Sequence, residues 1–422
     1  MHSHTFERVL CSALMVTGTA LAGCTGPTLP CDVDSVLARN CRQCHSDPPR
    51  SGAPMALVSL ADLHAPSTLH PSQRVYQRVG ARIHDDAHLI MPPLASLNEA
   101  DLKTLDTWIA SGAPGGPACQ VVTDKGRDRP LPPCARPDEE LAPAHPIPIP
   151  AEVDTLVCYG VDVPVASKRH VTALGARIDN FELLHHVTLF LASTSFGTTP
   201  TSDPTDCGPN GQLGWRIASV WTPGAQPIVL PPEAGLPEEG TMHYVVQVHY
   251  RNPNHLAGHV DTSGYSLCTT ANLRPNDADV VVFGTQDFLI PARASLDLTC
   301  RYKIPTELAG RAMINSMPHM HGLGKSISTT LLPESGAKPD DLGTRDPWTP
   351  EYQYWKPIQA VTHLGDTVAT RCAWENPTNE PITFGEISPH EMCASFTLYY
   401  PKAPSGWSWA QPSQSSICQP TP

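Results

Sequence analysis

The chain of 422 residues carries 41 acidic against 28 basic side chains, a formal net charge of −13. With no block of Lys and Arg, it lacks the charge that would hold nucleic acid or an anionic membrane surface. The length allows two or three domains. Its 46 prolines, about twice ordinary usage, work against long helices and favour strands joined by irregular loops. A mainly β body is expected.

Residues 1–24 have the layout of an export signal: a polar start, the mostly apolar run from Val9 to Ala22, then Leu21-Ala22-Gly23-Cys24. The apolar run is too short for an ordinary spanning helix. Leu-Ala-Gly-Cys resembles the bacterial lipobox. That resemblance implies lipidation of Cys24 and a protein held at the bacterial cell envelope, facing the periplasm or on the outer membrane, by a lipid anchor alone. Of 14 cysteines, Cys11 and Cys24 fall in the signal, which leaves an even set, and exported cysteines tend to pair.

Residues 31–117 read as a small helical unit. Cys41-Arg42-Gln43-Cys44-His45 matches the attachment pattern of covalent haem c, in which two thiols bond the porphyrin and the histidine ligates iron. An apolar set at helical spacing precedes it, over Cys31–Ala38. Ser96-Leu97-Asn98-Glu99 reads as a capping box opening a helix with Leu102, Leu105, Trp108 and Ile109 on one face, ending at Gly112 and Pro114. The block resembles a class I cytochrome c. By that resemblance Met91, in Ile90-Met91-Pro92-Pro93, supplies the sixth iron ligand, with His64, His70, His84 and His88 as alternatives.

Residues 118–150 turn Pro-rich and charged, as in Pro146-Ile147-Pro148-Ile149-Pro150, and read as a semi-rigid linker. From Thr155 short apolar runs bounded by turn residues follow one another: Leu156–Val163, Val187–Leu191, Val245–Tyr250 and Val280–Phe283. They predict two antiparallel β-sandwiches of jelly-roll-like form, over 151–285 and 286–422, with a boundary near Thr285.

Two histidine groups carry the chemistry. In Met317-Pro318-His319-Met320-His321-Gly322-Leu323-Gly324 the two imidazoles project to one face of an extended chain, roughly 7 Å apart, and can converge on one ion. Met392, in Pro389-His390-Glu391-Met392-Cys393, offers a thioether from the start of another strand. Two imidazoles and a thioether suit copper, particularly Cu(I). His185 and His186 would face opposite sides of a regular strand, so they share an ion only where a bulge or strand end breaks the alternation. His249, in Gln247-Val248-His249-Tyr250, would complete that three-His set. His243 and His390 lie near these ligands in sequence. His2, His4, His170, His255, His259 and His363 carry no motif.

In order, these elements resemble the copper type II, ascorbate-dependent monooxygenases, the family of peptidylglycine α-hydroxylating monooxygenase and dopamine β-monooxygenase. The resemblance implies two copper ions. One, held by His185, His186 and His249, stores an electron; the other, held by His319, His321 and Met392, is where O₂ reacts. It also implies bridges Cys158–Cys207, Cys372–Cys393 and Cys300–Cys418, leaving Cys31, Cys119, Cys134 and Cys268 unassigned. The substrate would be a small molecule with an aliphatic C–H bond. The electrons would come from the haem, from ascorbate or from a periplasmic redox donor. The peptide-amidating branch has an arginine and a tyrosine where this chain has Met317 and Phe396, which removes a charge-assisted clamp for a peptide carboxylate. Copper binding and electron transfer without substrate chemistry is the competing reading of the same residues.

Overall fold

The computed structural model describes residues 28–116 and 134–421, apart from short breaks at 43, 48, 50–52, 69, 85–90, 93–96, 98, 135–136, 153, 181–182, 198–200, 208–214, 223–224, 253–254, 349–352 and 386–388. The export signal with Cys24, Cys119 and most of the linker's first half lie outside the described residues.

Among the described residues the N-terminal unit has four short helices: α1 (Cys31–Asn40), α2 (Leu60–His64), α3 (Val75–Arg82) and α4 (Glu99–Ala110). Apolar positions at helical spacing place Val33, Val36 and Leu37 of α1 against Leu105 and Trp108 of α4, in a core that also takes Leu57, Leu63 and Val75. Polar groups close the ends of this core. Asn40 donates to Asp101 at 3.0 Å, and Trp108 Nε1 donates to the Pro114 carbonyl at 2.9 Å.

The rest is mainly antiparallel β, from strands of the kind the apolar runs predict. The first sheet contains β1 (Glu139–Leu141), β2 (Asp154–Arg177), β3 (Leu184–Ala192), β4 (Arg216–Trp221), β5 (Ala234–Arg251) and β6 (Gly264–Thr270), in the order β1-β6-β2-β5-β3-β4. It is one continuous sheet where two separate ones were expected. The reason is the length of β2 and β5, whose pairing slips between Val165 and Arg169. Such a bulge bends a strand. Tyr159 and Val161 before the slip and Val171 and Leu174 beyond it therefore line the same core.

The second unit is a two-sheet sandwich. Strands β7 (Asp279–Thr285), β9 (Ala312–His319), β12 (Lys356–Val361) and β14 (Cys393–Tyr400) form one sheet, ordered β7-β14-β9-β12. The other holds β8 (Ala294–Lys303), β10 (Gly324–Leu332), β11 (Asp340–Arg345), β13 (Thr367–Asn376) and β15 (Ile417–Pro420), ordered β11-β10-β13-β8-β15.

Two expected limits shift. Strand β7, placed by sequence on the N-terminal side of a boundary near Thr285, pairs residue by residue with β14, so the second unit begins before Asp279. The supposed linker is integrated from its middle. Cys134 is bridged to Cys268, β1 pairs with β6, and Ile147 and Ile149 are buried between their prolines. An isoleucine-proline alternation is extended either way; two buried isoleucines anchor it. The structure also pairs Cys158 with Cys207, Cys300 with Cys418 and Cys372 with Cys393.

The two β units share apolar packing. Val187 and Trp221 of the first belong to the same buried cluster as Val280, Met317, Phe396 and Leu398 of the second. Across that contact Arg216 Nη1 meets Asp279 Oδ2 at 2.9 Å, with Lys402 Nζ at 3.8 Å. Burial raises the Asp279 carboxyl above its ordinary value, while Arg216 and Lys402 pull it down. Replacing Arg216 by Leu leaves that carboxylate with the Val280 amide at 2.8 Å and the distant lysine, and should cost about 3 kcal/mol. Asp279→Asn in the same chain should restore most of the loss in urea unfolding, whereas additive losses would show that the two groups do not interact.

Candidate metal centres

On β3 and β5 the cross-strand partners are Leu184 with Tyr250 and then His186 with His249. One residue, His185, is extra on the β3 side. That slip turns both adjacent histidines toward His249, as the alternation argument requires. Ring centroids lie 5.6 Å apart for His185 and His186, 5.1 Å for His185 and His249, and 4.8 Å for His186 and His249. One nitrogen from each ring lies within 4.8 Å of the others. The Nδ1 atoms of His186 and His249 are 3.3 Å apart. Val187, Val248 and Tyr250, fully buried, back the group and fix its strands.

The second group forms where β9 ends. His319 is its last residue, opposite Ala394 of β14, and His321 follows in the turn to β10. Their rings stand 5.2 Å apart and nearly perpendicular, at 89°. His321 Nδ1 pairs with the His390 carbonyl at 2.8 Å, which leaves Nε2 as its available ligand atom. His319 Nδ1 is buried with no hydrogen-bond partner. An orphaned ring nitrogen is costly unless something absent from the protein alone completes it. Met392 immediately precedes β14, two residues before the partner of His319, at the same end of the sheet.

The turn after His321 is shaped by Gly324. A Cβ there would lie 2.6 Å from the Trp348 ring, so only glycine lets that indole approach and donate through Nε1 to the His321 carbonyl at 3.0 Å. Phe396 stands edge-on to His319 at 6.0 Å. Sequence reasoning passed over two residues here, Trp348 and the buried Glu391. Nothing in their local pattern marks them, since their partners are distant in the chain.

Burial disfavours the charged form of two of these rings, one in each group, and the neutral form is the one that binds metals. His186 is lowered well below the usual histidine value, by burial first and then by His249, His185, His319 and His321. The last two belong to the other group, so the two sets sit within electrostatic reach of each other. His319 is lowered to about 3, by burial first and then by His321. His243 lies elsewhere, opposite Asp162 and Ala192 toward the other end of β5, with Nδ1 bound to Asp162 at 2.7 Å. His390 contributes its backbone carbonyl.

In the helical unit Cys41 and Cys44 are outside any disulfide. The amides of Cys44 and His45 both donate to the Cys41 carbonyl, at 3.2 and 2.9 Å, which makes a tight turn after α1. His45 Nδ1 pairs with the Met55 carbonyl at 2.8 Å, which leaves Nε2 as its available ligand atom. Burial pushes the Cys41 thiol up to about 12 and lowers His45. Of the alternative sixth ligands, His64 bonds the Ala113 carbonyl at 2.7 Å and His84 bonds Asp106 at 2.8 Å. Met91 is held after α3 through its amide on the Arg82 carbonyl. His88 lies outside the described residues.

In the metal-free chain, His186 and His319 take up their protons only on unfolding. The contribution of both rings is therefore whole above about pH 6.5 and drains as the pH falls below it, that of His319 until about pH 3 at up to about 1.4 kcal/mol per pH unit. Urea unfolding of metal-free protein between pH 7 and 4 should show this loss, and His319→Asn should flatten it. A variant with an unchanged pH dependence would show that the ring is not buried neutral.

Comparison with known proteins places these residues in a family frame. Residues 142–257 match the N-terminal domain of the copper type II ascorbate-dependent monooxygenases, and residues 276–419 match the C-terminal domain. Dopamine beta-hydroxylase of Rattus norvegicus is 28% identical over 276 residues, covering 60% of this chain and 44% of that protein. The Homo sapiens protein of the same name is 29% identical over 278 residues, covering 61% and 45%. Tyramine beta-hydroxylase of Caenorhabditis briggsae is 27% identical over 279 residues, covering 61% and 47%. The chain spans under half the length of these relatives.

Proposed function

Because the chain belongs to the copper type II ascorbate-dependent monooxygenases through residues 142–257 and 276–419, we propose that it hydroxylates an aliphatic C–H bond of a small molecule. The overall change is R–H + O₂ + 2 e⁻ + 2 H⁺ to R–OH + H₂O. The observation that carries this reading is the presence, in one folded body, of two donor sets of different make-up within electrostatic reach of each other. His185, His186 and His249 would hold one copper; His319, His321 and Met392 would hold the other, softer site. Bound copper supplies one-electron storage at the first set and O₂ activation at the second.

The protein's own groups do the rest. The His390 carbonyl and the Trp348 indole fix the ring and backbone of His321. Met317 and Phe396 are buried in the shared apolar cluster, so neither position offers a charged grip on substrate. The relatives are named for dopamine and tyramine, both small molecules, in keeping with this class.

Two one-electron deliveries are needed per turnover. The helical unit supports a haem c reading through the Cys41 and Cys44 thiols, through His45, whose Nδ1 is taken by the Met55 carbonyl, and through Met91. Ascorbate or another one-electron donor would serve the same need. Seventeen residues lie between Gly116, paired with Thr28, and Cys134, bridged to Cys268. A tether of that length keeps a donor at roughly millimolar effective concentration. The described disulfides favour an oxidising compartment. Together with Leu21-Ala22-Gly23-Cys24 they support export to the cell envelope and a lipid anchor at Cys24.

Elemental and haem analysis tests this. Two coppers and one covalent haem that resists acid acetone are expected per chain. Met392→Ala should abolish O₂-dependent hydroxylation of a C–H substrate panel while keeping one copper at the three-His set. Zinc alone, extractable haem, or full activity in the variant would each defeat the corresponding part.

A further inference from the structure

We propose that Glu391 is the positioning residue of the second metal centre, and that its carboxylate assembles the His319–His321 turn and the Met392 segment before any metal arrives. The proposal rests on reading this centre as a copper site. It adds a role for a residue that is not itself needed as a ligand.

Glu391 is 1% exposed, and no lysine or arginine among the described residues pairs with it. Its two oxygens are nonetheless crowded with donors. Oε2 accepts from the His321 amide at 2.9 Å, from Trp374 Nε1 at 3.2 Å and from the Met392 amide at 3.3 Å. Oε1 accepts from the Leu323 amide at 2.6 Å. Three of the four are backbone N–H groups, and two belong to proposed ligands themselves. One carboxylate thus ties together two segments that lie about seventy residues apart in sequence.

The carboxylate is itself held from both sides. The backbone of Glu391 pairs with the 383–385 segment, its amide on the Thr383 carbonyl at 3.1 Å and its carbonyl on the Gly385 amide at 3.2 Å. Trp374 is buried and stacked on Phe288 at 4.8 Å, so the indole donor cannot drift. Cys393, two residues on, is bridged to Cys372 of β13. All of these constraints come from the chain itself: hydrogen bonds, a ring stack and a disulfide. They give the turn a scaffold that does not run through a metal.

The chemistry of the residue type follows. An ionised carboxylate is all acceptor, and every partner here is a donor. A glutamine of the same shape must turn an NH₂ toward one of those N–H groups, which leaves buried donors unpaired. Such a fault loosens the spacing of His321 and Met392 without removing either.

Two measurements decide it. In metal-free wild-type protein, hydrogen exchange should find the His321 and Leu323 amides protected, and copper should add little. Free exchange that slows only when copper binds would overturn pre-assembly. In Glu391→Gln, Cu(I) titration should show the second copper bound 10 to 100 times more weakly with the three-His copper unchanged, and X-ray absorption should lose the sulfur scatterer. A folded variant with two tightly bound coppers and an intact sulfur signal would overturn the proposal. If the variant does not fold, the exchange result on wild-type protein decides alone. Should wild-type protein bind no second copper, the copper reading fails, and amide exchange still judges the turn.

Discussion

Neighbouring residues on a regular β-strand face opposite ways, so His185 and His186 cannot meet one partner unless the ladder is broken. The register slip between Leu184 and His186 is that break. It leaves one residue unmatched, turns both imidazoles toward His249, and does so on strands whose other side is fully buried. Had the pairing continued without it, one of the two rings would have entered the core behind Val187 and Val248, and the three-His set would not exist. The long strands that carry these residues also bend the sheet over its core, so fold and centre depend on the same departures from a regular ladder.

The second centre solves a different problem. There the alternation already places His319 and His321 on one side, but the strand ends between them and a turn must hold what the ladder no longer does. Hydrogen bonds from the chain's own groups take over: the His390 carbonyl on the His321 ring, Trp348 on its carbonyl, and Glu391 on the amides. His319, its Nδ1 buried without a hydrogen-bond partner, stands beside that turn. Packing between the two β units then brings the sets within electrostatic reach, through a core that Val187, Trp221, Met317 and Phe396 share.

Much of this was legible in the sequence wherever the information is local. The strand alternation gave the paired faces of His319 and His321, the adjacency of His185 and His186 demanded a bulge, and apolar spacing marked α1 and α4. What escaped depends on distant partners. Val280–Phe283 looks like one more strand of the first unit, and only its pairing with Ser395–Leu398 assigns it to the second. Ile147 and Ile149 sit in a proline-rich stretch that resembles a spacer, yet they are buried. Glu391 is a single acid before an apolar strand. Its four donors come from Met392 beside it and from His321, Leu323 and Trp374, which no local pattern connects.

The central claim is that these two slips from regularity create two separate copper centres in one chain. Anomalous diffraction from copper-loaded crystals at the copper edge tests it most directly. Two peaks per chain are predicted, one enclosed by His185, His186 and His249 and one among His319, His321 and Met392. A single peak, or copper bound away from both groups, would contradict the account.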